Sequence, residues 1–100
     1  MGINVTDAPG RERFEAHDDA GVLAGFLTYQ VTGSIAVYTH TEVKEAFQGR
    51  GVGSVLVRAA LDDARARGRT VVPICPYVLG WLGKHPGYED VVARTTKKVK

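Results

Sequence analysis

The sequence contains one cysteine, Cys75, among its 100 residues. A lone cysteine excludes an intrachain disulfide and any zinc site built from several thiolates, and no metal is expected. It suits a reducing, cytoplasmic location. No apolar run is long enough to span a membrane. The stretch Met1–Asp7 lacks a basic segment followed by an apolar one, so it does not read as a secretion signal, and the sequon Asn4-Val5-Thr6 is expected to stay unmodified. Charge of one sign is missing too. Thirteen Lys and Arg against eleven Asp and Glu leave a formal charge of +2. That permits a local basic patch but does not call for nucleic acid. Repeats and low-complexity linkers are absent.

What remains is an ordinary balance of 44% hydrophobic and 24% charged residues. It suits one small globular domain over residues 1–94, with a basic, solvated tail over 95–100. The first half reads as strands. Ile3 to Thr6 is a short one, closed by a turn at Asp7-Ala8-Pro9-Gly10. Arg11 to His17, with Phe14 among charges, resembles an edge strand. Val22 to Val31 is apolar, aromatic and β-branched, as a central strand would be. Ile35 to Val43 alternates with period two, which puts Tyr38, His40 and Glu42 on one face and Val37, Thr39, Thr41 and Val43 on the other.

The period then changes. Leu56, Val57, Ala60, Leu61 and Ala64 form one helical stripe, and the opposite side offers Arg58–Asp62 and Asp63–Arg67 pairs. Gly68 sits where a C-terminal cap is expected. Thr70 to Cys75 is a short buried strand in which Pro73 marks an edge or a bulge. Pro76 opens a second helix through Trp81 and Leu82. His85-Pro86-Gly87 ends it, with His85 suited to the negative helix terminus, and Tyr88 to Ala93 reads as a last short element. The order β-β-β-β-α-β-α predicts an α+β fold. Its mixed, mainly antiparallel sheet would contain one right-handed β-α-β crossover.

Gln48-Gly49-Arg50-Gly51-Val52-Gly53 lies between a strand and a helix. Its uncovered amides and the positive helix end suit a phosphate pair, with Arg50 and Arg58 adding charge. The competing reading is a turn that only packs closely on the sheet. There is no Gly-Lys-Ser/Thr ending, so no P-loop, and the dinucleotide Gly-x-Gly-x-x-Gly spacing is absent.

The chain resembles the GCN5-related N-acetyltransferase superfamily, whose pyrophosphate loop reads Gln/Arg-x-x-Gly-x-Gly/Ala. It is most similar to a minimal subgroup of about a hundred residues. There, His40-Thr41-Glu42-Val43 precedes the loop, Val72-Pro73-Ile74-Cys75-Pro76-Tyr77-Val78 follows the helix, and His85-Pro86-x-Tyr88 comes near the end. The resemblance covers about Arg13 to Val92. It implies transfer of an acetyl group from acetyl-CoA to an amine, with coenzyme A held by Gln48 to Ser54 and by Val43, Cys75 and Tyr88. It also implies that the strand of Val43 splays from that of Thr70–Cys75 to admit the pantetheine arm. The paired N-terminal helices that wall the acceptor groove in larger members have no counterpart here, so a second copy could supply that wall. Monomer and homodimer both stay open.

Five side chains are candidates for the chemistry. His40 or Glu42 could take the amine proton, directly or through water; otherwise one is a packing histidine and the other a solvated carboxylate. Cys75 precedes a helix N-terminus, which favours a thiolate able to carry the acetyl group; otherwise it is a small buried apolar residue. Tyr77 and Tyr88 could protonate the leaving thiolate, whereas Trp81 reads as helix core. Beside the enzyme stand two other readings: a non-catalytic module that binds coenzyme A, and a basic protein that binds nucleic acid. The last lacks the interleaved aromatic and basic strand pattern such binding needs.

Overall fold

The computed structural model describes residues 2–93; the basic tail lies outside them. Strands β1 (Ile3–Ala8), β2 (Arg13–Asp18), β3 (Leu23–Thr32) and β4 (Ile35–Val43) form an antiparallel meander. Helix α1 (Val52–Ala66) then crosses to β5 (Thr70–Pro73), which pairs parallel to β4, and α2 (Pro76–Lys84) follows. The sheet order is β1-β2-β3-β4-β5. Val92 adds a single bridge to Val71, so the Tyr88–Ala93 segment closes the outer side of β5.

Helix α1 buries the stripe expected of it: Leu56, Val57, Ala60, Leu61 and Ala64 are all at most 1% exposed. They meet Phe14, Leu27 and Tyr38 from the sheet. The hydroxyl of Tyr38 donates to the carbonyl of Ala60 at 2.6 Å and joins the two layers. Gly68, at φ 69°, follows the end of α1, a left-handed conformation that glycine adopts without steric cost. Arg67 pairs with Asp63 at 2.9 Å as expected, but Arg58 lies over the Trp81 ring instead of pairing with Asp62.

Three details differ from the sequence reading. β1 runs on to Ala8, and a 3-10 turn at Pro9–Arg11 with left-handed Glu12 (φ 53°) replaces the turn at Asp7–Gly10. β2 is not an edge strand, because β1 and β3 flank it. Its charges instead face outward from the sheet, where Arg13 reaches Glu15 at 2.7 Å and holds that carboxyl below the usual range.

The third difference matters most for function. Tyr29 pairs with Tyr38 but Thr28 pairs with His40, so Thr39 is an extra residue, a β-bulge in β4. A bulge reverses the alternation beyond it. Tyr38, Thr41 and Val43 therefore share the helix side with Tyr29, Leu27 and Gly25, their cross-strand partners. His40 and Glu42 do not share a face with Tyr38. They stand on the opposite side beside Phe26, whose ring lies 6.2 Å from that of His40.

Burial pushes the Tyr29 hydroxyl up to about 12, and burial raises Tyr38 further still. Both must stay protonated in the fold, whereas in the unfolded chain they ionise near pH 10. Their contribution to stability is whole below pH 10 and is lost as the pH rises through 12. Denaturation midpoints should accordingly be flat from neutral pH to about 10 and fall above it, and Tyr29→Phe should soften the fall.

Candidate functional site

The site grows from the place where β4 and β5 part. Their last pair is Tyr38 with Pro73. Proline offers no N–H to continue the ladder, and the amides of Ile74 and Cys75 both turn back to the carbonyl of Tyr38, each at 3.1 Å. β4 continues alone to Val43. The Lys44 amide donates to Ala24 on β3, so the preceding Val43, by alternation, directs its own amide and carbonyl away from β3. Thr41 does the same. These groups form a strand edge with no partner strand, beside a slot.

The glycine loop closes one end of this slot. Gly49 and Gly51 stand at φ 81° and 79°, and Gly51 is the N-cap of α1 with no side-chain cap bond. The first intrahelical bond comes from the Val55 amide to Gly51, which leaves the amides of Val52, Gly53 and Ser54 available for an anion. Gln48 reaches back to the Val43 carbonyl at 3.4 Å and ties the loop to the open edge. Gly53 has a steric role. A Cβ there would lie 2.4 Å from the Tyr77 hydroxyl, so the absence of a side chain lets α2 approach α1. Arg50 is exposed at the loop, with its guanidinium 5.5 Å from the Phe47 ring centre.

Cys75 is the N-cap of α2, with its side chain 2% exposed. Its thiol lies 3.5 Å from the Thr41 hydroxyl, across the slot. Thr41 was not singled out from the sequence, because simple alternation turned it to the other face. His40 and Glu42 form a 3.5 Å pair on the open face, and Lys44 joins Glu42 at 3.6 Å. The slot thus has the thiol on its helix side and the imidazole–carboxylate pair on its open side. Among the described residues no group of three or more His, Cys, Asp or Glu could hold a metal.

Trp81 and His85 take the places expected of them. Trp81 is core, and its indole donates to Ser54 at 2.8 Å. His85 caps α2, with Nδ1 2.8 Å from the Trp81 carbonyl. Tyr88 is buried, and its hydroxyl donates to Asp62 at 2.8 Å. Its ring centre lies 5.6 Å from that of Trp81, so Trp81 stands between Tyr88 and Ser54.

Solved structures share this architecture. A GCN5-like protein from Staphylococcus aureus, determined by NMR, matches with a TM-score of 0.68 at 23% identity, over 97% of this chain and 96% of that one. The ribosomal-protein-S18-alanine N-acetyltransferase of Escherichia coli matches at 0.55 and 21% identity, over 71% of this chain but 42% of its own length. An aminoglycoside acetyltransferase from an uncultured soil metagenomic sample, in complex with sisomicin, matches at 0.59 and 18% identity, over 75% and 56%. These likenesses show the fold, and against the two enzymes this chain spans about half of their length. The model of the GCN5-related N-acetyltransferases matches residues 13–91. That stretch runs from β2 past α2 and includes the loop, the open edge and Cys75, and the protein belongs to the GCN5-related N-acetyltransferase family.

Proposed function

We propose that this protein transfers the acetyl group of acetyl-CoA to an amine, with donor and acceptor meeting through the slot from opposite faces of the sheet. The observation that carries this reading is the bare edge of β4 from Thr39 to Val43, which begins at Cys75 and ends at an uncapped helix N-terminus. An extended pantetheine arm fits such an edge as an added strand would. The loop amides and Arg50 hold the pyrophosphate. An amide on the bare edge donates to the thioester oxygen as charge develops on it.

His40 and Glu42 face the acceptor side and take the proton that an ammonium must lose before it attacks. Tyr77, two residues after Cys75 and with its hydroxyl against Gly53, returns a proton to the departing thiolate. Cys75 either lines the acetyl end or carries the acetyl group as a thioester. The two roles differ in outcome. On the covalent route, Cys75→Ser is expected to lower kcat by about tenfold or more while acetyl-CoA binding changes little. Unchanged turnover would leave direct attack by the amine.

A module that binds coenzyme A without efficient catalysis is the second reading. It is favoured by the open sheet face, which no described helix covers. Incubation with acetyl-CoA and a broad amine panel decides between them. Acetylated product supports the enzyme, and tight coenzyme A binding with no product anywhere supports the module.

A further inference from the structure

Beyond α2 the chain returns to the sheet. The amide of Val71 donates to the Val91 carbonyl, and the amide of Ala93 donates to the Val71 carbonyl, each at 2.8 Å. Val92 thereby makes a parallel bridge on the outer side of β5. Parallel pairing fixes a direction. The chain at Ala93 runs as β5 does, from Thr70 toward Cys75 and the slot.

The residues that follow carry amines. Segment 94–100, Arg94-Thr95-Thr96-Lys97-Lys98-Val99-Lys100, holds three of the five lysines in the sequence and no acidic side chain. Cys75 lies four residues beyond Val71, so the slot is about 15 Å from Val92 at the usual strand rise and spacing. Five extended residues reach at most about 17 Å, which makes Lys97 the first lysine whose amine can arrive there. On the open side that amine meets the His40–Glu42 pair, whose carboxylate side chain is 46% exposed. No described helix covers this face to enclose a free amine. A tethered amine needs no enclosure, because a short flexible link keeps its effective concentration on the order of millimolar.

We propose that segment 94–100 presents its lysines to the slot, Lys97 and Lys98 foremost, and that the protein acetylates them in cis. The inference rests on the acetyl transfer proposed above. The lysine ammonium first loses a proton to the His40–Glu42 pair. Its nitrogen then attacks the thioester carbonyl, a C–N bond forms and the C–S bond breaks. A second proton leaves the nitrogen as one is returned to sulfur, so coenzyme A departs as its thiol. Peptide mass mapping of the full chain after incubation with acetyl-CoA tests this. Lys84, exposed on α2 and remote from the slot, reports the uncatalysed rate in the same molecule. The segment is expected to be acetylated at least about tenfold faster than Lys84, at a rate that dilution of the protein leaves unchanged. That rate should saturate with acetyl-CoA, whereas the rate at Lys84 should rise linearly. A segment acetylated no faster than Lys84, or a rate proportional to protein concentration, would overturn the proposal. Free amines added to the same preparation keep the two readings apart. Acetylated amine beside an unmodified segment removes only the cis reaction, and no product of either kind removes the acetyl transfer with it.

Discussion

A Gly51→Glu variant should remain folded and bind coenzyme A at least about a hundredfold more weakly, since a fixed carboxylate displaces the charge-assisted phosphate contacts. The two halves of that expectation have separate causes. A side chain at Gly51 has room, because nothing lies within 4 Å of its Cβ position. The left-handed backbone, φ 79°, costs a non-glycine residue about 1–2 kcal/mol. A carboxylate at a helix N-terminus offsets part of that, since the macrodipole favours it. For the same reason the new side chain competes for the amides that a pyrophosphate would use. Gly51→Asn is the control. Asparagine tolerates the left-handed region and brings no charge, so its loss of affinity should be much smaller. Circular dichroism establishes folding and calorimetry the affinity. A folded Gly51→Glu with undiminished affinity would show that the loop is not the anion site.

The second large effect is on stability. Tyr38→Ala should cost about 3–5 kcal/mol, the range for deleting a buried aromatic side chain. A domain of this size has only about 5–15 kcal/mol in total, so the substitution removes a large share of it. Tyr38 is 1% exposed, packs against Phe14, and ties the sheet to α1 through Ala60. Tyr38→Phe keeps the packing and removes only the hydroxyl, so it should cost about 1 kcal/mol. Urea denaturation of the pair separates the two contributions. Equal losses would mean that the hydrogen bond to α1, not the packing, carries the residue's effect. The position also concerns function, because the carbonyl of Tyr38 receives the amides of Ile74 and Cys75 where β5 leaves β4. Loosening it should widen the slot as well as weaken the core.

Much of the fold was legible because its determinants are local. The stripe from Leu56 to Ala64 specified the buried face of α1 through a period that neighbouring residues alone create. Pro76 and Gly68 marked helix ends through their own backbone restrictions. The glycine loop was visible for the same reason. Its amides are free because they open a helix, ahead of the first intrahelical bond, and its place before α1 follows from chain order. Pro73 signalled an edge or a bulge within a strand expected to reach Cys75, whereas β5 ends at Pro73 itself.

What misled was also specific. β2 carries charges that looked like those of an edge strand, but their destination is an open sheet face, a matter of layers and not of strand order. The bulge at Thr39 is silent in the sequence. Thr39 fits regular alternation, and only the pairing of Thr28 with His40 and Tyr29 with Tyr38 reveals an extra residue. The partner of the Tyr88 hydroxyl, Asp62, is distant in sequence and was equally silent.

The sequence by itself therefore determined the elements, their order, the parallel crossover and the glycine loop before α1, all set by interactions within a few residues or by the handedness of the chain. Only the tertiary structure decided that Thr41 meets Cys75, that His40 and Glu42 look out on the other face, and that Val92 joins the outer side of β5. One extra residue inverts every side chain beyond it, and whether a strand accepts that residue is settled by its partner strand. The loop's neighbours were readable in order, but on which side of the slot each one stands was not.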